Sequence, residues 1–224
     1  GIRAAALSGD PVWIMPDKRR PYQEYLERVD AINALCGDGP QFYSLHLDVE
    51  PHVLPEVKRD GMEGYIPRFV ELIRDARAQA DKRGLQLEWD IPAWFGKFHD
   101  AENDCSLTET IFHYCEAVGI MAYSDTAEGQ YRVVMPNVEI AKKTGKHLMI
   151  GCETMDLDEA RREDGNCAIS YFEEGKIYMY KCLQTIMRDV AETYDAFGFA
   201  IHDVKRWIAL QPHVLPKYAE VYGK

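Results

Sequence analysis

The chain has 224 residues, 46% of them hydrophobic and 28% charged, enough to bury one sizeable core beneath a charged surface. Its formal net charge is −11, and an acidic surface repels nucleic acid and anionic lipid, so neither is expected as a partner. No apolar run approaches the roughly 20 residues that a bilayer span requires.

Arg3-Ala4-Ala5-Ala6-Leu7-Ser8 reads as a short buried strand that stops at the turn signal Gly9-Asp10-Pro11. Val12 to Met15 follows as a loop or lid. From Pro21, the apolar positions Tyr22, Tyr25, Leu26, Val29, Ile32 and Leu35 recur at helical spacing, and Cys36-Gly37 ends that helix. Phe42 to Glu50 is the next strand, closed by Pro51. A loop containing Pro55 and Gly61 leads to a helix from about Tyr65 to Arg83, with Phe69, Leu72, Ile73 and Ala76 facing inward and Gly84 as its stop.

Leu85 to Pro92 is the third strand, followed by a loop with Trp94, Phe95 and Phe98. Ser106-Leu107-Thr108-Glu109 fits a capping box that opens a helix to Ala117. Val118 to Tyr123 is a strand running into Ser124-Asp125. Val133 to Lys143 is helical, begun by the Pro136 turn and stopped at Thr144-Gly145. His147 to Glu153 is a strand, and a polar loop covers Asp156 to Asn166. Ser170 to Glu173 fits a second capping box and opens a long helix through Tyr194. Phe197 to Asp203 is the last strand, and Trp207 to Tyr222 forms an amphipathic tail.

The six cysteines, Cys36, Cys105, Cys115, Cys152, Cys167 and Cys182, include no CxxC pair, so neither a zinc ribbon nor a thioredoxin-type site is supported. They read as interior thiols, and their even number also permits disulfides. No signal peptide is visible at Gly1, and the sequence assigns no compartment.

Six strands alternating with helices imply a parallel sheet covered by helices, an α/β fold. Ser8, Glu50, Asp90, Asp125, Glu153 and Asp203 close successive strands with a polar or acidic group. Groups on nearly every strand end suit a closed barrel better than an open sheet with one switch point. The expected architecture is a (β/α)8 TIM-type barrel in a single domain, residues 1–224. Six β-α units are visible, and the first two are expected to be absent from this chain, supplied by an N-terminal segment or a partner chain.

Phe42-Tyr43-Ser44-Leu45-His46-Leu47-Asp48-Val49-Glu50 organises the chain. Leu45, Leu47 and Val49 point one way from the strand, and His46, Asp48 and Glu50 the other. Two carboxylates two residues apart on one face repel, which raises the pKa of one of them and makes it a candidate general acid at neutral pH. A strand end capped by solvated acids would read the same way.

This stretch resembles the fourth-strand signature F-D-G-x-D-x-D-x-E of the chitinase-type glycoside hydrolases, family 18. Met121-Ala122-Tyr123 followed by Asp125 resembles the sixth-strand M-x-Y-D pattern of that family, with one residue inserted. The resemblance implies that Glu50 protonates the glycosidic oxygen, that Asp48 orients the substrate's N-acetyl group, and that Tyr123 positions its oxygen. The acetamido group then takes the nucleophile's place. Tyr43 and His46 depart from the signature, which has Asp at both positions.

A second large group of retaining glycosidases places an acid Glu before Pro at the end of strand four and a nucleophile Glu at the end of strand seven. Glu50-Pro51 and Glu153-Thr154 fit those places if two units are missing. Glu153 is thus a candidate nucleophile, substrate ligand or structural acid. His46, Asp90, Trp94, Asp125, His202, Asp203 and Trp13 are candidates to line a carbohydrate cleft, the tryptophans as stacking surfaces. This reading needs no cofactor and no metal.

Two other classes stay open. His46, Asp48, Glu50, Asp90, Glu153, His202 and Asp203 could converge on a divalent metal and make a metal-dependent hydrolase or isomerase, although no HxH or HExxH motif is present. A barrel of this type could also bind glycans without cleaving them.

Overall fold

The computed structural model describes residues 1–157 and 167–213. It comprises two compact units, Gly1–Val118 and Gly119–Lys224. The division falls within a strand rather than at a linker. Parallel strands joined by helices make the chain α/β.

In the first unit, β1 (Ala4–Ser8), β2 (Phe42–Leu47) and β3 (Gln86–Pro92) are parallel neighbours in that order. Ser8 stands opposite Leu47, and His46 opposite Glu88. Gly9 permits the close approach at the end of β1. A Cβ there would overlap the carbonyl of Asp48, while the Asp48 N–H donates to Ser8 O at 3.1 Å. The segment before α1 is two short 3-10 turns rather than a lid. It begins at Asp10, whose carboxylate accepts from Val12 N, and it buries Trp13 and Ile14.

Helix α1 (Arg20–Cys36) buries Tyr22, Tyr25, Leu26 and Val29 as expected, and the Tyr25 hydroxyl donates to Ala6 O at 2.6 Å. Ile32 and Leu35, expected on the same stripe, are exposed, so the buried stripe stops before the last turns. A short helix α2 (Pro55–Asp60) occupies the expected loop, begun by a proline and ended by Gly61 at positive φ. Helix α3 (Ile66–Arg83) buries Phe69, Leu72, Ile73 and Ala76 and ends at left-handed Gly84. A small antiparallel pair, β4 (His99–Asp100) and β5 (Cys105–Ser106), precedes α4 (Leu107–Tyr114). The Ser106 hydroxyl caps α4 by accepting from Glu109 N at 3.2 Å.

Strand β6 (Ala117–Met121) runs across the division. In the second unit, α5 spans Ala127–Thr144, longer than expected, with Pro136 inside it. The start signal is Thr126, whose hydroxyl accepts from Gly129 N at 3.1 Å. Strands β7 (His147–Glu153) and β8 (Phe197–His202) are parallel partners. Between them, α6 begins at Gly175 and ends at Ala191. The capping box expected at Ser170 does not form. Ser170 Oγ instead accepts from Phe172 N and donates to Met155 O, and Gly175 at positive φ separates that turn from the helix. A final helix α7 (Val204–Ala209) follows. The polar loop expected over Asp156 to Asn166 and the tail to Tyr222 lie largely outside the described residues.

The buried side chain of Gln130 on α5 donates to Gly151 O on β7 at 2.8 Å and accepts from the Tyr171 hydroxyl at 2.9 Å. No two cysteines are bonded among the described residues, and Cys115, Cys152, Cys167 and Cys182 are buried. No described helix is long and apolar enough to cross a membrane.

Candidate active site

The alternation that organises β2 holds in space. Leu45, Leu47 and Val49 are fully buried, and His46, Asp48 and Glu50 are half-buried on the other side. Regular pairing ends at Leu47, and Glu50 opens the 3-10 turn Pro51–Val53. Its side chain is 31% exposed. Burial raises the pKa of Glu50, and the charges of Asp48 and Asp90 add to it. A carboxyl so placed keeps its proton to a higher pH than a solvated one while staying open to solvent on one side.

Glu88 and Asp90 reach the same place from β3. The Glu88 carboxylate accepts from the Tyr43 hydroxyl and stands 3.2 Å from His46 Nδ1. Asp90 Oδ2 stands 2.8 Å from His46 Nε2, a contact at ion-pair distance that is poorly aligned as a hydrogen bond. Burial lowers the pKa of His46, but the close carboxylates of Asp90 and Glu88 outweigh it and raise it to about 10. Glu88 moves down: its burial is outweighed by hydrogen bonds from His46 and Tyr43.

His52 lies just past the acid. Its Nε2 is 3.7 Å from Glu50 Oε1, and its ring meets Trp94 edge-on at 4.9 Å and Phe95 at 5.7 Å. Burial, with Lys58 and Lys97 nearby, lowers its pKa and so favours the neutral ring. Trp94 is 42% exposed, with Lys97 Nζ 4.3 Å from its ring centre.

His46, Asp48, Glu50, Asp90 and Trp94 therefore belong to one neighbourhood at the ends of β2 and β3. Trp13, expected among the carbohydrate contacts, does not join it. It is 2% exposed and packed against Tyr22 and Tyr25 as a core residue. Glu88 carried a readable signal, since it shares a strand face with Asp90. His52 carried none, because Pro51 breaks the period before it.

The second unit holds the other candidates. Glu153 is 5% exposed at its side chain, and both its oxygens are occupied. Oε1 accepts from Thr154 N at 2.7 Å and Met155 N at 2.8 Å, and Oε2 lies 2.9 Å from His202 Nδ1. Of the three roles open to it, this arrangement fits a structural acid that holds the chain turning off β7. Asp203 caps α7, accepting from Arg206 N at 3.0 Å and pairing with the Arg206 guanidinium at 2.7 Å. Asp125 is buried, with its N–H donating to Ala168 O at 3.1 Å. Gly151 leaves room for Tyr123: a Cβ there would lie 3.1 Å from the Tyr123 ring.

Among the described residues, no group of three or more His, Cys, Asp or Glu side chains is disposed to hold a metal ion. Both ring nitrogens of His46 face carboxylates.

No protein-family model matches this sequence, and no curated protein matches it. Solved structures do. A GH18 chitinase from Cycas revoluta, in complex with (GlcNAc)3, is similar over 93% of this chain and 78% of its own, with TM-score 0.54 and 13% identity. A Group IV chitinase from Ostrinia furnacalis is similar over 92% of this chain and 74% of its own, with TM-score 0.51 and 13% identity. Catalytic domain 2 of the Ostrinia furnacalis Group II chitinase, bound to a chitooligosaccharide, is covered over 78% of this chain with TM-score 0.43 and 14% identity. This chain spans 52% of that structure. At these identities the first two structures establish a shared fold, and function has to be argued from the site.

Proposed function

We propose that this chain is a glycoside hydrolase of the chitinase type, acting on N-acetylglucosamine polymers through Glu50 as general acid. The observation that carries this reading is the half-buried Glu50 carboxyl at the end of β2, its proton held by burial and by the neighbouring Asp48 and Asp90. The shared fold and the ligand named for the Cycas structure support the substrate class.

In the proposed reaction, Glu50 gives its proton to the glycosidic oxygen as the bond to the anomeric carbon breaks. The acetamido oxygen of the substrate attacks that carbon, with Asp48 orienting the amide. Asp90 and Trp94 are proposed to contact sugar in the first unit. Asp125, His202 and Asp203 are proposed subsite residues of the second unit, and Glu153 supports the strand end there.

The barrel reading requires two β-α units beside β1. Leu7, the register partner of His46, is 62% exposed, and it is the surface that such a strand would cover.

The test is Glu50→Gln assayed on chitooligosaccharides, with binding followed by calorimetry. Turnover should fall at least about 100-fold, the order of a lost general acid, with affinity nearly unchanged. Unchanged turnover would rule out the acid role. Binding without turnover in the unaltered chain would identify a glycan-binding protein instead.

A further inference from the structure

The parallel register that sets His46 opposite Glu88 places four polar groups in one line: Tyr43, Glu88, His46 and Asp90. The Tyr43 hydroxyl donates to Glu88 Oε1, Glu88 Oε2 faces His46 Nδ1 at 3.2 Å, and His46 Nε2 faces Asp90 at 2.8 Å. A neutral imidazole carries a single N–H and can satisfy only one of two carboxylates. The other would then meet a ring lone pair in a site where Glu88 is 4% exposed, a costly arrangement for a buried charge. Only the imidazolium presents a proton to both.

We propose that His46 is a positioning residue of this site: a fixed imidazolium that holds the Asp90 carboxylate in place next to Glu50. The inference rests on the reading of Glu50 as the acid. Asp90 is the link, because its charge acts on Glu50 while its oxygen contacts His46. His46 sets the charge balance of the site without touching the substrate.

The groups around this cation come from several elements. On β2 they are Tyr43, Asp48 and Glu50, and on β3 Glu88 and Asp90. Arg3, ahead of β1, lies 4.3 Å from the centre of the Tyr43 ring, and Tyr25 of α1 meets the backbone of His46. Carboxylates dominate this set, and the elevation of the His46 pKa to about 10 agrees with the geometric argument.

The first measurement uses the unaltered chain. Nitrogen NMR of the histidine rings at pH 8.5 should find both nitrogens of His46 protonated; a neutral ring at that pH overturns the proposal whatever any variant does. The second follows the Glu50 carboxyl carbon by NMR titration in the unaltered chain, His46→Asn and His46→Lys. Removing the cation leaves the Asp90 charge uncompensated, so the Glu50 midpoint should rise in His46→Asn, by on the order of half a pH unit. His46→Lys should bring it part of the way back. A Glu50 midpoint that is raised in the unaltered chain and unmoved in His46→Asn overturns the positioning role and leaves the acid reading standing. An ordinary carboxylate midpoint for Glu50 in the unaltered chain overturns both.

Discussion

Gly9→Ala adds one methyl group, at the place where β1 hands over to the strand that carries the site. A Cβ at that position would overlap the carbonyl oxygen and carbon of Asp48 and come within 3.0 Å of its Cα. The Cβ is fixed by the backbone and meets only backbone atoms, so no rotamer change relieves the clash. The strands must part locally, which removes the hydrogen bond from Asp48 N to Ser8 O. Losing that bond and stranding its partners costs about 1–3 kcal/mol, and the overpacking costs about 1–3 kcal/mol more. The stiffer unfolded chain returns about 0.4–1 kcal/mol. The net is about 3 kcal/mol, or a Tm lower by about 10 °C for a chain of this size. Urea and thermal unfolding of the two proteins provide the measurement. A loss below about 1 kcal/mol would mean that β1 and the Asp48 carbonyl are not in contact.

Trp94→Ala should weaken chitooligosaccharide binding about fivefold, the order of one lost aromatic stacking contact; unchanged affinity by calorimetry would remove Trp94 from the cleft. Glu153→Ala should lower stability by about 2–4 kcal/mol in urea titrations, because the Met155 amide loses its acceptor and the part-buried contact with His202 Nδ1 is removed. Glu153→Gln keeps an acceptor for both amides and should cost less, and equal losses would contradict that account. Stability should also depend on pH through His46, whose folded pKa of about 10 lies above the 6.5 of an unperturbed histidine. Its contribution, on the order of 3 kcal/mol, is complete below pH 6.5 and lost as pH rises toward 10. Urea midpoints at pH 6, 8 and 10 should trace that decline, and His46→Asn should flatten it.

The parts of the fold that were legible in the sequence were those set by local period and punctuation. Leu45, Leu47 and Val49 alternate with His46, Asp48 and Glu50, and burial follows the alternation. Gly84 and Gly145 mark helix ends because both sit at positive φ. Helix α2 was missed because six residues are too few to show a period. Pro136 reads as a helix start in sequence, whereas Thr126 ten residues earlier supplies the cap and the helix runs through the proline. The second capping box failed because Ser170 bonds Met155 O, a tertiary contact that local sequence does not encode.

At the site, Glu50 and Asp48 could be read from one strand. The part played by His46 could not, since it depends on the register that brings Glu88 and Asp90 across from β3. Trp13 illustrates the converse. An aromatic beside a strand end suits a cleft or a core equally well until Tyr22 and Tyr25 are placed against it.

Gln130 has a bearing on how the second unit comes apart. Its amide is bonded on one side to the strand that ends in Glu153 and on the other to Tyr171. Neither neighbour can peel away without stranding a buried polar group, so a partial opening there gains little entropy at full enthalpic cost. This fastening makes helix, strand and following segment a single cooperative block, and it shields the Glu153 end of the strand from the fraying that strand termini ordinarily undergo.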